Sequence, residues 1–331
     1  MCGGSLPLAA NLRFSATPSP RGVAPKTPNV FPRVSEGNSI VSASERTTPR
    51  TLLTINYLLF TIDKEIHFMK KTFLLFTILL FTTALFAETG YDIMKKVDEV
   101  PEPKTSSSTA TLTIHSKKGN DKVREVIMKS KDYGDVSKEV IVFTVPKDVA
   151  GTSYLMFNYE EDASGNKKDS DNWLYLPAMK KTRRIASSGS ESEGSFMGTD
   201  FTYQDMGERS LNDYEYNLLG EETVDGVVCY KIECISKAHT EKDPRYITYI
   251  GKSDYIMRKC EFYDRQDQLH RVLTCTNFTT IKGFTTAQIM KMENVQTGTW
   301  SLIETKNIVY DDEDIDDSLF TVAALEKGRI R

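Results

Sequence analysis

Residues 173–205 read WLYLPAMKKTRRIASSGSESEGSFMGTDFTYQD, and their side chains offer two kinds of recognition chemistry. Lys180, Lys181, Arg183 and Arg184 place four positive charges within five residues, a density suited to lipid phosphates or to a partner's carboxylates. The same residues would serve equally as a solvated strand edge that lysines protect from aggregation. Phe196, Met197, Phe201 and Tyr203, grouped around Gly198, form an aromatic and methionine cluster. Methionine suits surfaces that accept ligands of irregular shape, although such side chains also plug a protein's own core. Trp173, Leu174 and Leu176 precede both groups as a short wall element closed by Pro177, which cannot donate to a sheet ladder.

Catalytic chemistry has little to work with. His115, His239 and His270 are the histidines of residues 88–331 and stand far apart, with no H-E-x-x-H or C-x-x-C pattern near them. The run Gly194-Ser195-Phe196-Met197-Gly198 sets its serine one place early for a nucleophile elbow. Asp311, Asp312, Glu313, Asp314, Asp316 and Asp317 make a dense acidic run without the glycine and ligand order of a calcium loop. These patterns predict no catalytic centre, no metal and no cofactor.

The elements that must position the basic and aromatic clusters are mostly strands. Ile93, Met94 and Val97 recur at helical spacing before Pro101, predicting a helix over 91–100. Alternating apolar runs then follow at 109–116, 123–128, 140–145, 153–159 and 173–176. After the polar loop at 187–195 they resume at 214–219, 227–235, 246–250, 256–263, 269–278, 287–292 and 300–310. About eleven or twelve strands in series read as an antiparallel all-β sheet curled towards a barrel. Residues 200–206 are a candidate lid, and 316–325 a short terminal helix.

The run W-L-Y-L-P-x-x-K-K-x-R-R-I, followed by S-F-M-G-T-D-F-T-Y-x-D, resembles the outer-membrane lipoprotein-sorting protein family, the LolA-like domains often associated with RND-type transporters. Tyr255-Ile256-Met257-Arg258-Lys259, Glu261-Phe262-Tyr263-Asp264, Ile281-Lys282-Gly283 and the ending Ile315-Asp316-Asp317-Ser318-Leu319-Phe320 fit the same resemblance, which covers residues 88–331. It implies a mainly β, incompletely closed antiparallel barrel (LolA/LolB-like) with an apolar hollow and short helices as lid. It further implies a non-enzymatic carrier that shelters acyl chains of a lipid or lipoprotein and delivers it towards the outer membrane. On that reading Trp173, Leu174 and Leu176 line the wall, and Phe196, Met197, Phe201 and Tyr203 form the mobile mouth. Lys180, Lys181, Arg183 and Arg184 then meet head groups or an inner-membrane RND-type transporter. The alternative implied is a non-carrying periplasmic adaptor or sensor module working with such a transporter.

Targeting signals agree with a periplasmic location. Met69-Lys70-Lys71, the apolar stretch 72–86 and Ala87 read as a secretory signal peptide over 69–87, its core too short for a confident membrane span. Residues 1–50 hold seven of the twelve prolines without apolar periodicity and read as disordered; residues 1–68 are expected to be a non-native extension of a chain that starts at Met69. Residues 88–331 carry 33 Lys and Arg against 42 Asp and Glu, an acidic balance that argues against general nucleic-acid binding. Among Cys229, Cys234, Cys260 and Cys275, the first two point to opposite faces of one predicted strand. Cys260 and Cys275 fall opposite or diagonal across a predicted hairpin turning at 265–268 and could bridge.

Overall fold

The computed structural model describes residues 88–161 and 167–328. The expected signal peptide at 69–87 and the segment before it lie outside the described residues.

Helix α1 (Gly90–Asp98) opens the fold. Thr89 caps it, accepting from the Asp92 amide while the Asp92 carboxylate accepts from the Thr89 amide, so two end donors are satisfied reciprocally. Its apolar face buries Ile93 and Met94, each worth roughly 1.5–3 kcal/mol relative to exposure. A β-carbon on Gly90 would approach the Tyr216 and Leu218 backbone to 3.1 Å, so a glycine lets the helix start close against the sheet.

Among the described residues thirteen strands form one antiparallel sheet. In chain order they are β1 (Thr105–His115), β2 (Asp121–Asp132), β3 (Val136–Val145), β4 (Ser153–Tyr159), β5 (Asp171–Leu176) and β6 (Lys181–Ile185) in the first half. The second half comprises β7 (Tyr214–Val224), β8 (Val227–Ser236), β9 (Arg245–Gly251), β10 (Met257–Tyr263), β11 (Leu269–Ile281), β12 (Phe284–Asn294) and β13 (Thr299–Tyr310). The spatial order runs β6-β5-β4-β3-β2-β1-β13-β12-β11-β10-β9-β8-β7. The chain therefore meanders out from β1 to one edge, crosses to the other edge through residues 186–213, and meanders back until β13 pairs with β1. Strands β6 and β7 remain unpaired with each other, which is the incompletely closed sheet that the resemblance implies.

Alternation assigns the two faces. Leu112, Val126, Met128, Ile141, Phe143, Tyr154, Met156, Leu174 and Ile303 face one continuous core, to which Ile93 and Met94 of α1 also belong. Val140, Val142 and Leu155 face the other way, where Ile315, Phe320 and Leu325 cover them. Leu325 comes from the short terminal helix Val322–Lys327, which is preceded by a 3-10 turn at Asp317–Leu319.

Strand β6 is absent from the series of apolar runs, and it is the strand edge that is one of the two readings of the basic residues. Only Ile185 of its five residues is buried, so it carries no apolar alternation, and its identity comes from pairing with β5, Asn172 against Ile185 and Leu176 against Lys181. The basic cluster is thus an edge strand. Among the described residues no helix is long and apolar enough to cross a membrane, which leaves membrane crossing by strands unaddressed.

Candidate functional site

The crossing segment places its apolar side chains on the core face of the sheet rather than in solvent. Phe196, Phe201, Met206 and Leu211 are all buried there. Phe196 meets Tyr154 edge-on at 5.4 Å between ring centroids and Phe143 at 6.2 Å, while Tyr203 meets Tyr154 and Phe196 at 5.4 Å each. Such tilted and edge-to-face pairs are favoured by the ring quadrupoles. Met197 and Tyr203 are half-buried against the same core.

The loop that carries these rings satisfies its own backbone. The Phe196 amide donates to the Phe201 carbonyl at 2.8 Å and the Thr199 amide to the Phe196 carbonyl at 3.0 Å. The Ser195 hydroxyl donates to the Thr199 carbonyl at 2.6 Å and the Thr199 hydroxyl to the Phe196 carbonyl at 2.7 Å. Closing so tight a knob forces Met197 to φ 51° and Gly198 to φ 79°, and only the second is cost-free for its residue type. Arg124 of β2 donates to the Met197 carbonyl. Between knob and sheet remains a cavity of about 10 Å³ lined by Leu112, Val126, Met128, Ile141, Phe196, Thr199, Phe201 and Ile303, at the lower limit for one water.

A buried polar lock holds the knob. Helix α2 (Tyr203–Met206) starts from Thr202 with a capping box to Asp205, whose amide donates to the Thr202 hydroxyl at 3.1 Å. The Asp205 carboxylate accepts from Arg209 at 3.2 Å and from Arg271 of β11. Arg271 also donates to the Asp200 carbonyl at 3.1 Å and, through Nε and Nη2, to Asp243 at 2.9 and 2.7 Å. His270 Nδ1 lies 2.6 Å from the other Asp243 oxygen. Thr299 and Ser301 of β13 donate to the Asp200 carboxylate. Burial alone would push the Asp205 carboxyl up, but the Arg271 and Arg209 guanidiniums hold it below the usual carboxylate range. Asp243 is likewise pushed up by burial and held low by His270 and Arg271.

The sequence reading missed this lock because it assumed strict alternation along β11. Phe262 pairs with Arg271 and Tyr263 with Leu269, so His270 is an extra residue at a β-bulge. The bulge lets adjacent His270 and Arg271 both be buried. The available signal was two adjacent polar residues, His270 and Arg271, inside an otherwise apolar strand.

The remaining expected site residues separate by face. Leu174 and Leu176 join the core face beside the knob. Trp173 stands on the opposite face, edge-on to Phe157 at 5.0 Å in the cluster under the terminal helix. The basic residues line the exposed edge: Arg184 pairs with Asp171 and Arg183 with Glu191 at 3.5 Å, while Lys180, at φ 48°, and Lys181 are exposed where β6 begins. Cys260 and Cys275 are free buried thiols; Cys260 lies directly across from Leu273, which places Cys275 diagonal to it. Among the described residues no group of three His, Cys, Asp or Glu side chains could hold a metal.

Comparison with known proteins places this geometry. A family profile whose description reads "Uncharacterized protein" matches residues 135–327. A DUF1329 family protein from Desulfovibrio piger has a crystal structure similar to this chain at TM-score 0.65 and 32% identity, covering 71% of this chain and 97% of that one. A Vibrio parahaemolyticus structure described as an outer membrane lipoprotein-sorting protein domain matches at TM-score 0.64 and 27% identity, covering 72% and 98%. A LolA superfamily protein from Nitrosomonas europaea shares the fold at TM-score 0.54 and 19% identity, covering 72% and 99%. No curated protein matches the chain significantly.

Proposed function

Because the chain belongs to the DUF1329 family, within the LolA-like, outer membrane lipoprotein-sorting superfamily, we propose that it is a periplasmic carrier. It shelters acyl chains of a lipid or lipoprotein in the hollow of its curled sheet and delivers the cargo towards the outer membrane. The observation that carries this reading is that two rings from a loop, Phe196 and Phe201, fill the apolar concave face. Side chains of a strand would be permanent wall; a knob closed by its own hydrogen bonds can leave as a unit and vacate space for a guest. An acyl chain gains about 0.8 kcal/mol per methylene on leaving water, enough over a long chain to offset displacement of two phenyl rings.

In this reading Leu174 and Leu176 are wall, Phe196, Met197, Phe201 and Tyr203 are the displaceable mouth, and Trp173 braces β5 from behind. Lys180 and Lys181, with Arg183 and Arg184 beside them, meet lipid head groups or an inner-membrane transporter of the RND type. Native mass spectrometry with lipid extraction on protein purified from periplasm tests it. A co-purifying acylated species in defined ratio is expected. Cargo-free protein that also refuses a fluorescent fatty acid would remove the carrier reading.

The second reading is a non-carrying adaptor or sensor module beside the same class of transporter. The residual cavity of about 10 Å³ favours it, because a permanent plug would leave no room for an alkyl chain.

A further inference from the structure

The apolar crevice ends in buried polar groups that the fold does not use. Strand β3 turns Ser137, Glu139, Ile141 and Phe143 to the core face, and Ile141 walls the crevice. Glu139, two residues along, is 1% exposed, and neither of its carboxylate oxygens has a hydrogen-bond partner among the described residues. Ser130 of β2 faces it on one side; Met156 of β4 faces it on the other, with Asn172 of β5 beyond. Nδ2 of Asn158, Oδ1 of Asn172, the Ser108 hydroxyl and the Tyr154 hydroxyl are also buried without partners among the described residues.

Most buried polar groups in native proteins are bonded, so a patch of open ones on one face needs an occupant. Water could satisfy the amides and hydroxyls, but it does not balance charge. The carboxylate of Glu208, its side chain 8% exposed, approaches the same place, bonded by the Ser137 hydroxyl at 3.4 Å and by Lys167 at 3.2 Å. Lys167 is thus engaged by Glu208, and among the described residues Glu139 has no cation of its own. Burial, with Glu208 adding repulsion, pushes the Glu139 carboxyl up to about 8. An unpaired buried carboxylate is costly enough that the group either holds a proton or waits for a cation.

We propose that the cargo of this hollow is an amphiphile whose head carries a protonated amine, seated against Glu139 with its alkyl chain along Met128 and Ile141. The dimensions suit one guest: residues two apart on a strand are roughly 7 Å apart, so the polar site and the apolar wall are contiguous. The open groups are mainly acceptors, the two Glu139 oxygens and Asn172 Oδ1, and match the three donors of an ammonium. The inference rests on the carrier reading and sharpens it from an acyl chain to a head group.

The test is displacement of a fluorescent fatty-acid probe from the purified protein by dodecylamine, dodecanol and dodecanoate, each below its micelle concentration at pH 7. Dodecylamine is expected to displace at least tenfold more tightly than dodecanoate and more tightly than dodecanol. Glu139→Gln, close in shape, should cut dodecylamine affinity about tenfold and leave dodecanol unchanged. Three chains that displace alike, in both proteins, overturn the amine inference while leaving the carrier reading intact. If the fluorescent probe does not bind and no chain shifts the melting temperature, the carrier reading fails and the inference goes with it.

Discussion

Arg271 of β11 reaches across the core face to bond the carboxylate of Asp205 in the knob's short helix, and both side chains are about 5% exposed. The pair ties the segment that carries Phe196 and Phe201 to the sheet. Removing one partner of such a pair leaves an uncompensated buried charge, at a cost of about 3–5 kcal/mol, whereas replacing both by apolar residues of like volume is often close to neutral. Asp205→Asn is therefore expected to lower the urea midpoint strongly. It should also speed protease cleavage within residues 186–213 relative to cleavage elsewhere. Equal acceleration at all sites would mean that the pair supports the whole sheet and does not latch the knob.

The pH dependence of stability should have two arms with different owners. Glu139 rises from an ordinary 4.5 to about 8 in the folded state. Below 4.5 it is neutral folded or unfolded and its contribution is fully present. As pH rises the unfolded chain ionises first, so stability is lost between about 4.5 and 8, by up to a few kcal/mol at 1.36 kcal/mol per unit. Asp205 and Asp243 are held below the ordinary value, so their contribution is present at neutral pH and lost as pH falls through the folded-state value. Glu139→Gln should flatten only the loss of stability between about pH 4.5 and 8, read by denaturant melts from pH 3 to 9. A slope unchanged in the variant would place the titrating group elsewhere.

Cys260 and Cys275 provide a check on register. Diagonal residues on paired antiparallel strands stand about 7–8 Å apart, beyond the reach of an unstrained disulfide. Burial pushes the Cys275 thiol up to about 12 and raises Cys229, Cys234 and Cys260 as well. All four thiols should ignore Ellman's reagent in the folded protein at pH 8 and react together on unfolding. Two fewer reacting thiols in oxidised, unfolded material would mean a bridge and a shifted β10–β11 register.

What the amino-acid pattern reveals is the part of the structure that repeats. The strand series and α1 follow from periods of two and 3.6 residues, and the structure bears them out. Trp173 was grouped with its neighbours by aromatic character, although the same period sends it to the opposite face. Strand β6 showed no apolar period, because an edge strand needs no apolar face; Lys181, Arg183 and Arg184 carry only charge, and charge alone left the strand-edge and binding readings level. The His270–Arg271 pair escaped because a bulge breaks the period where the polar lock sits. Glu139 gave no signal at all: an acid next to Lys138, just before the apolar run Val140-Ile141-Val142, reads as a solvent-facing residue until the fold shows which face is covered.

Phe196 and Phe201 allow the plug to be separated from the wall. Truncating a buried phenylalanine costs about 3–5 kcal/mol when the surroundings cannot collapse, so Phe196→Ala and Phe201→Ala should each lower the melting temperature of cargo-free protein. A residue of the wall would lose guest affinity in the same step. A plug behaves oppositely, because the apparent affinity of a guest scales with the fraction of molecules already open, and weakening the closed state raises that fraction. Fluorescent fatty-acid titrations should therefore show affinity in these variants rising, about tenfold, while stability falls. Leu174→Ala supplies the contrast, since its side chain belongs to β5 and remains after the knob leaves; there both quantities should fall together. If Phe196→Ala and Phe201→Ala also lose affinity, the rings are fixed lining and the guest enters by another route.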